Sequence, residues 1–495
     1  MKNRRLRAFS DGNDSRLRPI MCRPHALVLS CVTGLIAAGY IALAVFQHRH
    51  FLTHAHDLGI FDHGVWQLSR FERPAMTVRF MPLPNMFGDH FHPIILLLVP
   101  WYWVFDSPLV LLVAQALLFA ATVPLGFLVA RQLGIARWPA VALAGAVGIH
   151  PGFTSAMRFD FHEVAFGPVL LLTTVLLAEQ MRWRWYWLAL AGFLLTKEAM
   201  AVYAAAFGIT LMLRRQWMVG CTTSLVGVGY LFIVTGLIMP ALAQQPYVYW
   251  GYYQQFGGSP GGVVEHLVRH PISSVAELFS TATKRHTIDL MLRSFLYLPV
   301  LSWTMWPLLF TTMAERFWTI SPNVWLFHAQ YQVIMTMVLF VSTLYTMHDA
   351  RNRLARWPGL TGAISVLVLV ATAWTVLASG VWQNAFTSPP ASTIERWDSA
   401  VQQHIPPGVR VSAQDPFVPH LSHRSTIYQF PRVRNAEYII LDPAASSWPL
   451  TADDVRVAQQ RLAALGWRIA WQQDTTVIFQ RTGTSEDLPM VRGWE

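Results

Sequence analysis

Residues 26–46 read ALVLSCVTGLIAAGYIALAVF, and this apolar run decides the fold class of the chain. About 20 apolar residues are enough to cross the hydrocarbon core of a bilayer. A removable signal peptide has a shorter apolar region of about 7–15 residues, so we predict that 26–46 is a retained first helix. The segment before it, 1–25, is basic, which predicts a cytoplasmic N-terminus. Its cationic residues are Lys2, Arg4, Arg5, Arg7, Arg16, Arg18 and Arg23.

The composition of the whole chain is that of a polytopic membrane protein. Its 495 residues are 54% hydrophobic and only 13% charged, with a mean hydropathy of +0.36, whereas a soluble domain has about 25% charged residues. The net charge of +10 lies mostly beside apolar segments, which indicates orientation in the bilayer and no nucleic-acid partner. The three cysteines lie in or beside apolar segments, which argues against a disulfide framework.

Further apolar segments predict about eleven membrane crossings. We place the basic clusters Arg131/Arg137, Arg182/Arg184, Arg214/Arg215 and Arg351/Arg353/Arg356 in the cytoplasm. The segment 93–105 then becomes a re-entrant or interfacial half-helix, and 185–213 and 287–313 become hairpins that cross twice. A single long helix over 185–213 is the alternative, and it would invert everything that follows. The long segments are 108–130, 217–239, 328–346 and 358–380, and the other short ones are 138–150 and 164–180.

The tail from about residue 383 has the pattern of a small α/β domain. Alternation of apolar and polar residues predicts short strands in GVRVSAQ, EYIILD, WRIAWQQ and TTVIFQ. Helical spacing occurs in TIERWDSAVQQHI and TADDVRVAQQRLAAL, the second with a capping box at Thr451 and Asp454. We therefore predict a mostly α protein with three parts: the basic segment 1–25, a transmembrane domain 26–382 with an outer loop 47–92, and an extracytoplasmic domain 383–495.

Ionisable residues gather at the predicted outer ends of the spans. Such groups are costly in a membrane unless they are paired or face a watery cavity, so they are functional candidates. Together they predict one polar cavity that opens outward. The candidates are His56, Asp57, Asp62, Asp89, His90 and His92 in the first loop, Arg158, Asp160, His162 and Glu163 in the second, Lys197 and Glu198 at the hairpin tip, and Arg316, His328 and Tyr331 near the fourth.

This mixture of groups fits transfer from a phosphate-linked donor. A carboxylate can act as general base on an acceptor hydroxyl, and cations can hold a phosphate leaving group through charge-assisted hydrogen bonds. Attack on the anomeric carbon of a sugar needs both. A sugar phosphate carried by a lipid would also explain a location in the membrane.

Five stretches resemble an uncharacterised bacterial family of predicted polytopic membrane proteins, itself similar to the GT-C superfamily of glycosyltransferases. The resemblance covers about residues 25–445. It implies a GT-C-like fold, a polyprenyl-phosphate-linked sugar donor, an acceptor that is a glycan, lipid or protein, and action on the outer face of the bacterial cytoplasmic (inner) membrane. The stretches are HDLGIFDHGVW (56–66), GDHFHPIILLLVPWYWVF (88–105), RFDFHEVAF (158–166), LLTKEAM (194–200) and VSAQDPFVPHLSHRSTIYQFP (411–431).

The resemblance also implies roles for single residues. In GT-C enzymes an acid in the first outer loop is the usual catalytic base, which points to Asp57 and, second, to Asp62. We expect Lys197 and Arg316, together with Arg158, to hold the donor phosphate. The chain departs from the family pattern at three positions: His63 replaces a common Gln, Glu163 stands one position early, and Ala199 replaces an acid at the tip. The last two departures argue against a role for Glu163 and against a metal at the tip.

Structural alternatives stay open for several candidates. Asp57 and Asp62 are also consistent with a helix cap and a structural helix residue, and Lys197 with Glu198 is consistent with a plain ion pair. The pair His90 and His92 lacks a full metal-ligand set.

Asp160 and His162 are consistent with a divalent cation, Mg²⁺ or Mn²⁺, or with a simple pairing of Asp160 with Arg158. We expect no other cofactor. For the protein as a whole, a transporter or lipid flippase is the main rival function, and a non-catalytic scaffold is a third.

Overall fold

Helices account for most of the chain in a computed structural model, which describes residues 24–79, 81–354, 356–357 and 359–482. The predicted N-terminal segment 1–25 lies almost wholly outside these residues. The α-helices, α1 to α21 in chain order, are Pro24–Arg49, Ile60–Ser69, Val99–Tyr102, Leu109–Gln132, Arg137–Gly148, Pro151–Met157, Phe166–Glu179, Trp183–Leu194, Met200–Leu213, Trp217–Ile233, Met239–Ala243, Pro260–Arg269, Pro271–Glu277, Ala282–Arg293, Trp306–Phe317, Pro322–Trp325, Val333–Asp349, Arg351–Leu354, Leu360–Ala378, Ala391–Gln403 and Ala452–Ala464.

Five helical stretches in the described part of the chain are long and apolar enough to cross a membrane, by length and composition. Four of them coincide with the predicted segments 26–46, 108–130, 217–239 and 358–380. The fifth includes the predicted 138–150. The predicted 328–346 begins as a short 3₁₀ turn, and its α-helix starts only at Val333. The five stretches are Pro24–Arg49, Leu109–Gln132, Arg137–Met157, Trp217–Ala243 and Leu360–Ala378.

The segment 185–213 folds as two helices, α8 and α9, separated at residues 195–199. Arg214, after α9, has its Nε 3.9 Å from the Oε1 of Glu179, at the C-terminal end of α7. At the other end of α7, the tip residue Lys197 has its Nζ 2.9 Å from the Oε1 of Glu163. Both ends of the segment therefore lie at one end of α7 and its tip at the other. This is a hairpin, and the alternative of one long helix is wrong.

The segment 287–313 also doubles back. Thr287 in α14 donates its hydroxyl to the Trp325 carbonyl, and Arg316 in α15 donates Nε to the Val324 carbonyl, both at 2.8 Å. Between the two helices, Ser302 donates to the Oδ2 of Asp349 at 3.1 Å, at the far end of α17. The two helices therefore start and finish near residues 324–325, with the connection between them at the opposite end.

A five-stranded mixed sheet forms in the C-terminal part, in the order β2-β1-β3-β5-β4. Strand β1 is parallel to β2 and β3, and β5 is antiparallel to β3 and β4. Four strands and both helices match the predicted segments, and the capping box of α21 is present. The short strand β2 was not predicted. The strands are Val411–Ala413, Ile427–Gln429, Tyr438–Leu441, Arg468–Gln473 and Thr476–Gln480.

The hydrophobic core on one face of this sheet includes residues of the loop 47–92, the predicted first outer loop. Phe51, Ala55 and Val78 belong to the same buried cluster as Trp397 and Phe417. The Phe51 ring lies edge-on to the Trp397 ring, with centroids 5.6 Å apart. Full burial of a side chain of this size contributes about 1.5–3 kcal/mol. The outer loop and the C-terminal sheet are therefore one packed unit, although they are far apart in the chain.

His63 lies fully inside this interface. Its Nε2 donates to the Arg424 carbonyl at 3.1 Å, and only 1% of the residue is exposed. Burial lowers the pKa of His63 to about 4 from an ordinary value of 6.5. The unfolded chain thus binds more protons than the folded chain between these values. The folded state that holds neutral His63 therefore has its full stability above pH 6.5. This stability decreases as the pH falls toward 4, because the unfolded chain takes up the proton first.

We expect His63→Gln to make the protein less sensitive to acid. The glutamine amide can still donate to the Arg424 carbonyl, but it does not titrate. In the wild type, pH 5 lies about 1.5 units below the pKa that His63 has in the unfolded chain. This difference corresponds to roughly 2 kcal/mol of lost stability. Apparent melting temperatures in detergent at pH 7.5 and pH 5.0 measure this loss of stability for wild type and variant. If the melting temperature fell equally in both proteins between the two pH values, the prediction would be contradicted.

Candidate functional site

A cavity of about 660 Å³ lies where the first outer loop, the α8–α9 tip, α12 and α15 meet. Eleven of the predicted site residues line it, so the fold brings these eleven together in one cavity. Asp62, Arg158, Asp160 and His328 are not among the described residues that line it. The predicted residues in the lining are His56, Asp57, Asp89, His90, His92, His162, Glu163, Lys197, Glu198, Arg316 and Tyr331.

Asp57 lies on a π-helical turn, Ala55–Gly59, which leads directly into α2. Its carboxylate is 18% exposed, and its Oδ1 lies 3.0 Å from the Nε2 of His162. This hydrogen bond places the imidazole proton on Nε2 when Asp57 is ionised. Asp57 therefore has one fixed neighbour and an open side toward the cavity, which is the arrangement that a general base requires.

Asp62, the second predicted catalytic acid, does not reach the cavity. It is fully buried in α2 and accepts hydrogen bonds from Tyr102 and Ser422, while the Nε2 of His423 lies 3.1 Å from its Oδ2. Burial opposes ionisation of Asp62, but the charge of His423 and the hydrogen bonds outweigh it, so its pKa is lowered. Asp62 is thus a structural residue that joins α2 to the C-terminal part.

If the cavity carries out the sugar transfer expected from the sequence, Asp62→Asn should keep that transfer while it lowers stability. The amide oxygen can still accept from Tyr102, but the partner of His423 loses its charge, at a cost of about 1–3 kcal/mol. Thermal unfolding and transfer by the folded fraction measure the two effects. If folded Asp62→Asn protein lost transfer as completely as the Asp57 variant, Asp62 would be the base.

The metal hypothesis for Asp160 and His162 does not fit the geometry. The Oδ2 of Asp160 accepts the backbone N–H of His54 at 2.7 Å and lies 3.2 Å from its Nδ1. His162 faces Asp57 instead. Within the described ranges no group of three or more His, Cys, Asp and Glu side chains could hold a metal ion. Asp160 also does not pair with Arg158, so it serves as an anchor for the chain at His54.

Two of the three predicted phosphate-binding cations have other partners. Arg158 donates its Nη1 to the Val381 carbonyl at 2.5 Å, away from the cavity. Arg316 is 2% exposed and donates to the carbonyls of Val324 and Leu326, both at 2.8 Å. Arg316 therefore lines the cavity but has its hydrogen bonds directed into the loop that follows α15. The hydrogen bonds named here tie both guanidinium groups to backbone carbonyls.

Lys197 is the predicted cation that does face the cavity. Its ammonium pairs with Glu163 at 2.9 Å, and its side chain is 22% exposed while that of Glu163 is 1% exposed. The next residue, Glu198, accepts from the Nδ1 of His90 at 2.7 Å and from the backbone N–H of Phe91 at 2.9 Å. The hairpin tip therefore holds the second half of the first loop in place, and it leaves Lys197 at the cavity wall.

The structure adds Arg79 and a run of aromatic residues to the lining. Arg79 pairs with Asp89, which also accepts from the Tyr249 hydroxyl at 2.7 Å. The Tyr249 ring stacks on His90 with centroids 4.4 Å apart. These residues were missed in the sequence, although YVYWGYY is dense in aromatics within a polar loop. The aromatic residues of this run that line the cavity are Tyr247, Tyr249, Trp250, Tyr252 and Tyr253.

The remaining predicted residues form the walls. His92 packs against Phe61 and Phe87. Neither of its ring nitrogens has a hydrogen-bond partner in the described part of the chain, and burial lowers its pKa to about 4. A neutral His92 therefore behaves as an apolar wall residue. His56 lies edge-on to Trp448, a residue of the C-terminal part. His328 is not a lining residue, and its ring is tilted against that of Tyr331 with the centroids 6.0 Å apart.

Comparison with known proteins supports the predicted architecture. Residues 47–478 match the sequence family described as "Predicted membrane protein (DUF2079)". The crystal structure of ArnT from Cupriavidus metallidurans bound to undecaprenyl phosphate is similar in fold, with a TM-score of 0.51 at 10% sequence identity. The match covers 92% of this chain and 97% of that chain, and it confirms the GT-C resemblance as one of fold. No curated protein sequence matches the chain.

Proposed function

The chain belongs to the DUF2079 family of predicted membrane proteins. We propose that it is a membrane glycosyltransferase. It transfers a sugar from a polyprenyl-phosphate-linked donor to a glycan, lipid or protein acceptor. The observation that carries the proposal is Asp57, an acid with one imidazole partner and an open side toward a large cavity. The fold shared with a protein crystallised with undecaprenyl phosphate supports a polyprenyl-phosphate ligand.

Asp57 acts as the general base in this proposal. The acceptor hydroxyl loses its proton to Asp57 while its oxygen bonds to the anomeric carbon of the sugar. The bond from that carbon to the phosphate oxygen breaks, and the polyprenyl phosphate leaves with the electron pair. His162, which donates to Asp57 through Nε2, keeps the carboxylate in one orientation. General-base assistance of this kind contributes about 10²- to 10⁴-fold.

Lys197 and Arg79 hold the donor phosphate. Both line the cavity, and each is paired with one acid, Glu163 and Asp89 respectively. A phosphate that enters can share these cations, because an ammonium has three donors and a guanidinium has five. Negative charge develops on the leaving phosphate during transfer, so these contacts strengthen in the transition state. Arg158 and Arg316 are given no role in this proposal, because their short hydrogen bonds go to backbone carbonyl groups.

The aromatic and apolar residues of the lining suit the lipid and the sugar. Tyr247, Trp250 and Tyr253 line the cavity together with Val263 and Phe310. Flat aromatic faces pack against apolar ligand surfaces, and the tyrosine hydroxyl groups can bond to polar ones. The cavity lining therefore combines acidic and basic groups with amphipathic ones, as a sugar on a lipid carrier requires.

The orientation in the membrane follows from the same proposal. The cavity opens to the outer side of the bacterial cytoplasmic membrane, with about eleven crossings and a cytoplasmic N-terminus. The basic ends of the α8–α9 hairpin lie beside Glu179, whereas its tip lies at the cavity, which agrees with the bias of Arg and Lys toward the cytoplasm. The transmembrane domain 26–382 then carries the cavity, and the domain 383–495 lies outside.

The test is donor-dependent transfer by the purified protein in liposomes. Radiolabelled sugars are supplied either on polyprenyl phosphate or as nucleotide sugars, together with a membrane extract as acceptor. We expect label in a new product, with release of polyprenyl phosphate, only from the lipid-linked donors. Label that crosses the bilayer still attached to its lipid would indicate a flippase instead. Transfer from the nucleotide sugars alone would contradict the proposed donor class.

A further inference from the structure

The turn that carries Asp57 is held from the far end of the chain. Asp415 begins the segment between β1 and β2, and 1% of the residue is exposed. Its Oδ1 accepts the backbone N–H of Ala55, the first residue of the Ala55–Gly59 turn, at 3.0 Å. Its Oδ2 accepts from the Ser446 hydroxyl at 3.2 Å, and the Gln429 amide lies 3.5 Å from Oδ1.

This contact supplies what the turn lacks locally. The first N–H groups of a helical segment have no partner within it and need an acceptor from elsewhere. His54, which precedes the turn, provides no side-chain cap. Asp160 instead accepts the N–H of His54 at 2.7 Å, and Asp415 accepts the next N–H. A carboxylate suits this place because it also interacts favourably with the positive end of the turn.

A second contact fixes the end of the turn against the same segment. The Cα of Gly59 lies so close to Val418 that an added Cβ would be 2.8 Å from the Val418 Cγ1. Any side chain at position 59 would therefore push the turn and the C-terminal segment apart. The turn is held at its start by Asp415 and at its end by Val418, with Asp57 in the middle.

We propose that Asp415 is a positioning residue for the transfer reaction. It reaches across from the C-terminal sheet and fixes the Ala55–Gly59 turn, so that the Asp57 carboxylate keeps its contact with His162 and its open side toward the cavity. This inference rests on the proposed function for its catalytic consequence, but the structural coupling holds without it. The C-terminal part thus acts on the reaction through the backbone of this turn.

The first test compares Asp415→Ala with Asp415→Asn. The alanine variant leaves the Ala55 N–H without its acceptor, and the asparagine variant keeps an oxygen there. Since a misplacement of about 1 Å can cost roughly 10²-fold in rate, we expect Asp415→Ala to lower kcat by about 10- to 100-fold. The KM for the donor should change little, because the donor does not touch Asp415. Asp415→Asn should recover most of kcat.

The second test does not depend on activity. Hydrogen exchange of the peptides that contain residues 52–60 is followed by mass spectrometry in wild type and both variants. We expect faster exchange in this turn for Asp415→Ala and near-normal protection for Asp415→Asn. If the wild type transfers no sugar, this experiment still decides whether Asp415 holds the turn. A failure of the proposed function and a failure of the positioning role can thus be distinguished.

The matched control is Val455→Ala, which weakens the other apolar core of the sheet without touching the turn. Its melting temperature gives the general loss of stability in the C-terminal part, and its kcat shows how much such a loss lowers transfer. We expect Val455→Ala to keep kcat and the protection of residues 52–60. The positioning role is wrong if Val455→Ala lowers kcat and the protection of residues 52–60 as far as Asp415→Ala does. It is also wrong if Asp415→Ala changes neither kcat nor this protection.

Discussion

Asp57→Asn is expected to lower the rate of sugar transfer by about 10²- to 10⁴-fold, because it removes the proton acceptor. The amide has nearly the same shape as the carboxylate, and its oxygen can still accept from the Nε2 of His162. Folding and donor binding should therefore persist, with the loss mainly in kcat. Initial rates at saturating lipid-linked donor, for wild type and variant at matched amounts of folded protein, measure the effect.

The control for this variant lies five residues away in the chain. Asp62→Asn makes the same chemical change in the same outer loop, but at a residue that is fully buried and faces His423. The pair separates a loss of chemistry from a disturbance of the loop. Transfer by Asp57→Asn within a few-fold of wild type would mean that another group accepts the proton, and it would remove Asp57 from the mechanism.

Lys197→Met is expected to reduce both stability and transfer, and the two losses have different causes. The variant leaves Glu163 as a buried charge without its partner, since the carboxylate is 1% exposed and pairs with Lys197 at 2.9 Å. Breaking a buried pair in this way costs about 3–5 kcal/mol. The donor phosphate also loses a charge-assisted contact of about 1.5–3 kcal/mol, or roughly tenfold or more in kcat/KM.

A double variant separates these two effects. Glu163→Gln combined with Lys197→Met removes the unpaired charge, so we expect thermal stability to recover most of the loss. Transfer should stay low, because the cation at the cavity wall is still missing. If transfer recovered together with stability, the pair would have only a structural role and the donor phosphate would be held by Arg79. Melting temperatures and kcat/KM for the donor are measured on wild type, Lys197→Met and the double variant.

The sequence predicted the class of fold and the content of the cavity better than it predicted individual roles. Apolar runs and basic flanks are local signals, so the hairpin of α8 and α9 followed from them. Alternation of apolar and polar residues predicted four strands, but the three residues of β2, IYQ, are too few to show a period. Arg79 stands alone in a loop without periodicity, so no signal separated it from surface residues.

The different roles of Asp57 and Asp62 could not be predicted from a local sequence pattern, because they depend on contacts with distant residues. The two acids stand in one short motif, and their environments differ because of residues about 360 positions later. Ser422 and His423 convert Asp62 into a buried structural ion, while the Asp57 carboxylate pairs with His162 and lines the cavity. In the same way, Arg158 and Arg316 were expected at a phosphate because of their charge. In the structure they donate to backbone carbonyls. Every residue has a backbone carbonyl, so the sequence does not indicate which one accepts.

The shared core of the outer loop and the C-terminal sheet also sets an order of events during synthesis. Ala55 and its partner Asp415 are 360 positions apart, so a ribosome that adds about 5–20 residues per second needs roughly 20–70 s to bring the second after the first. During that interval Phe51 and Val78 have no core to enter, and the Ala55 amide has no carboxylate. The contact of this turn with Asp415 can therefore form only after most of the chain has been synthesised, and a chain that ends before residue 415 lacks this support of the turn that carries Asp57.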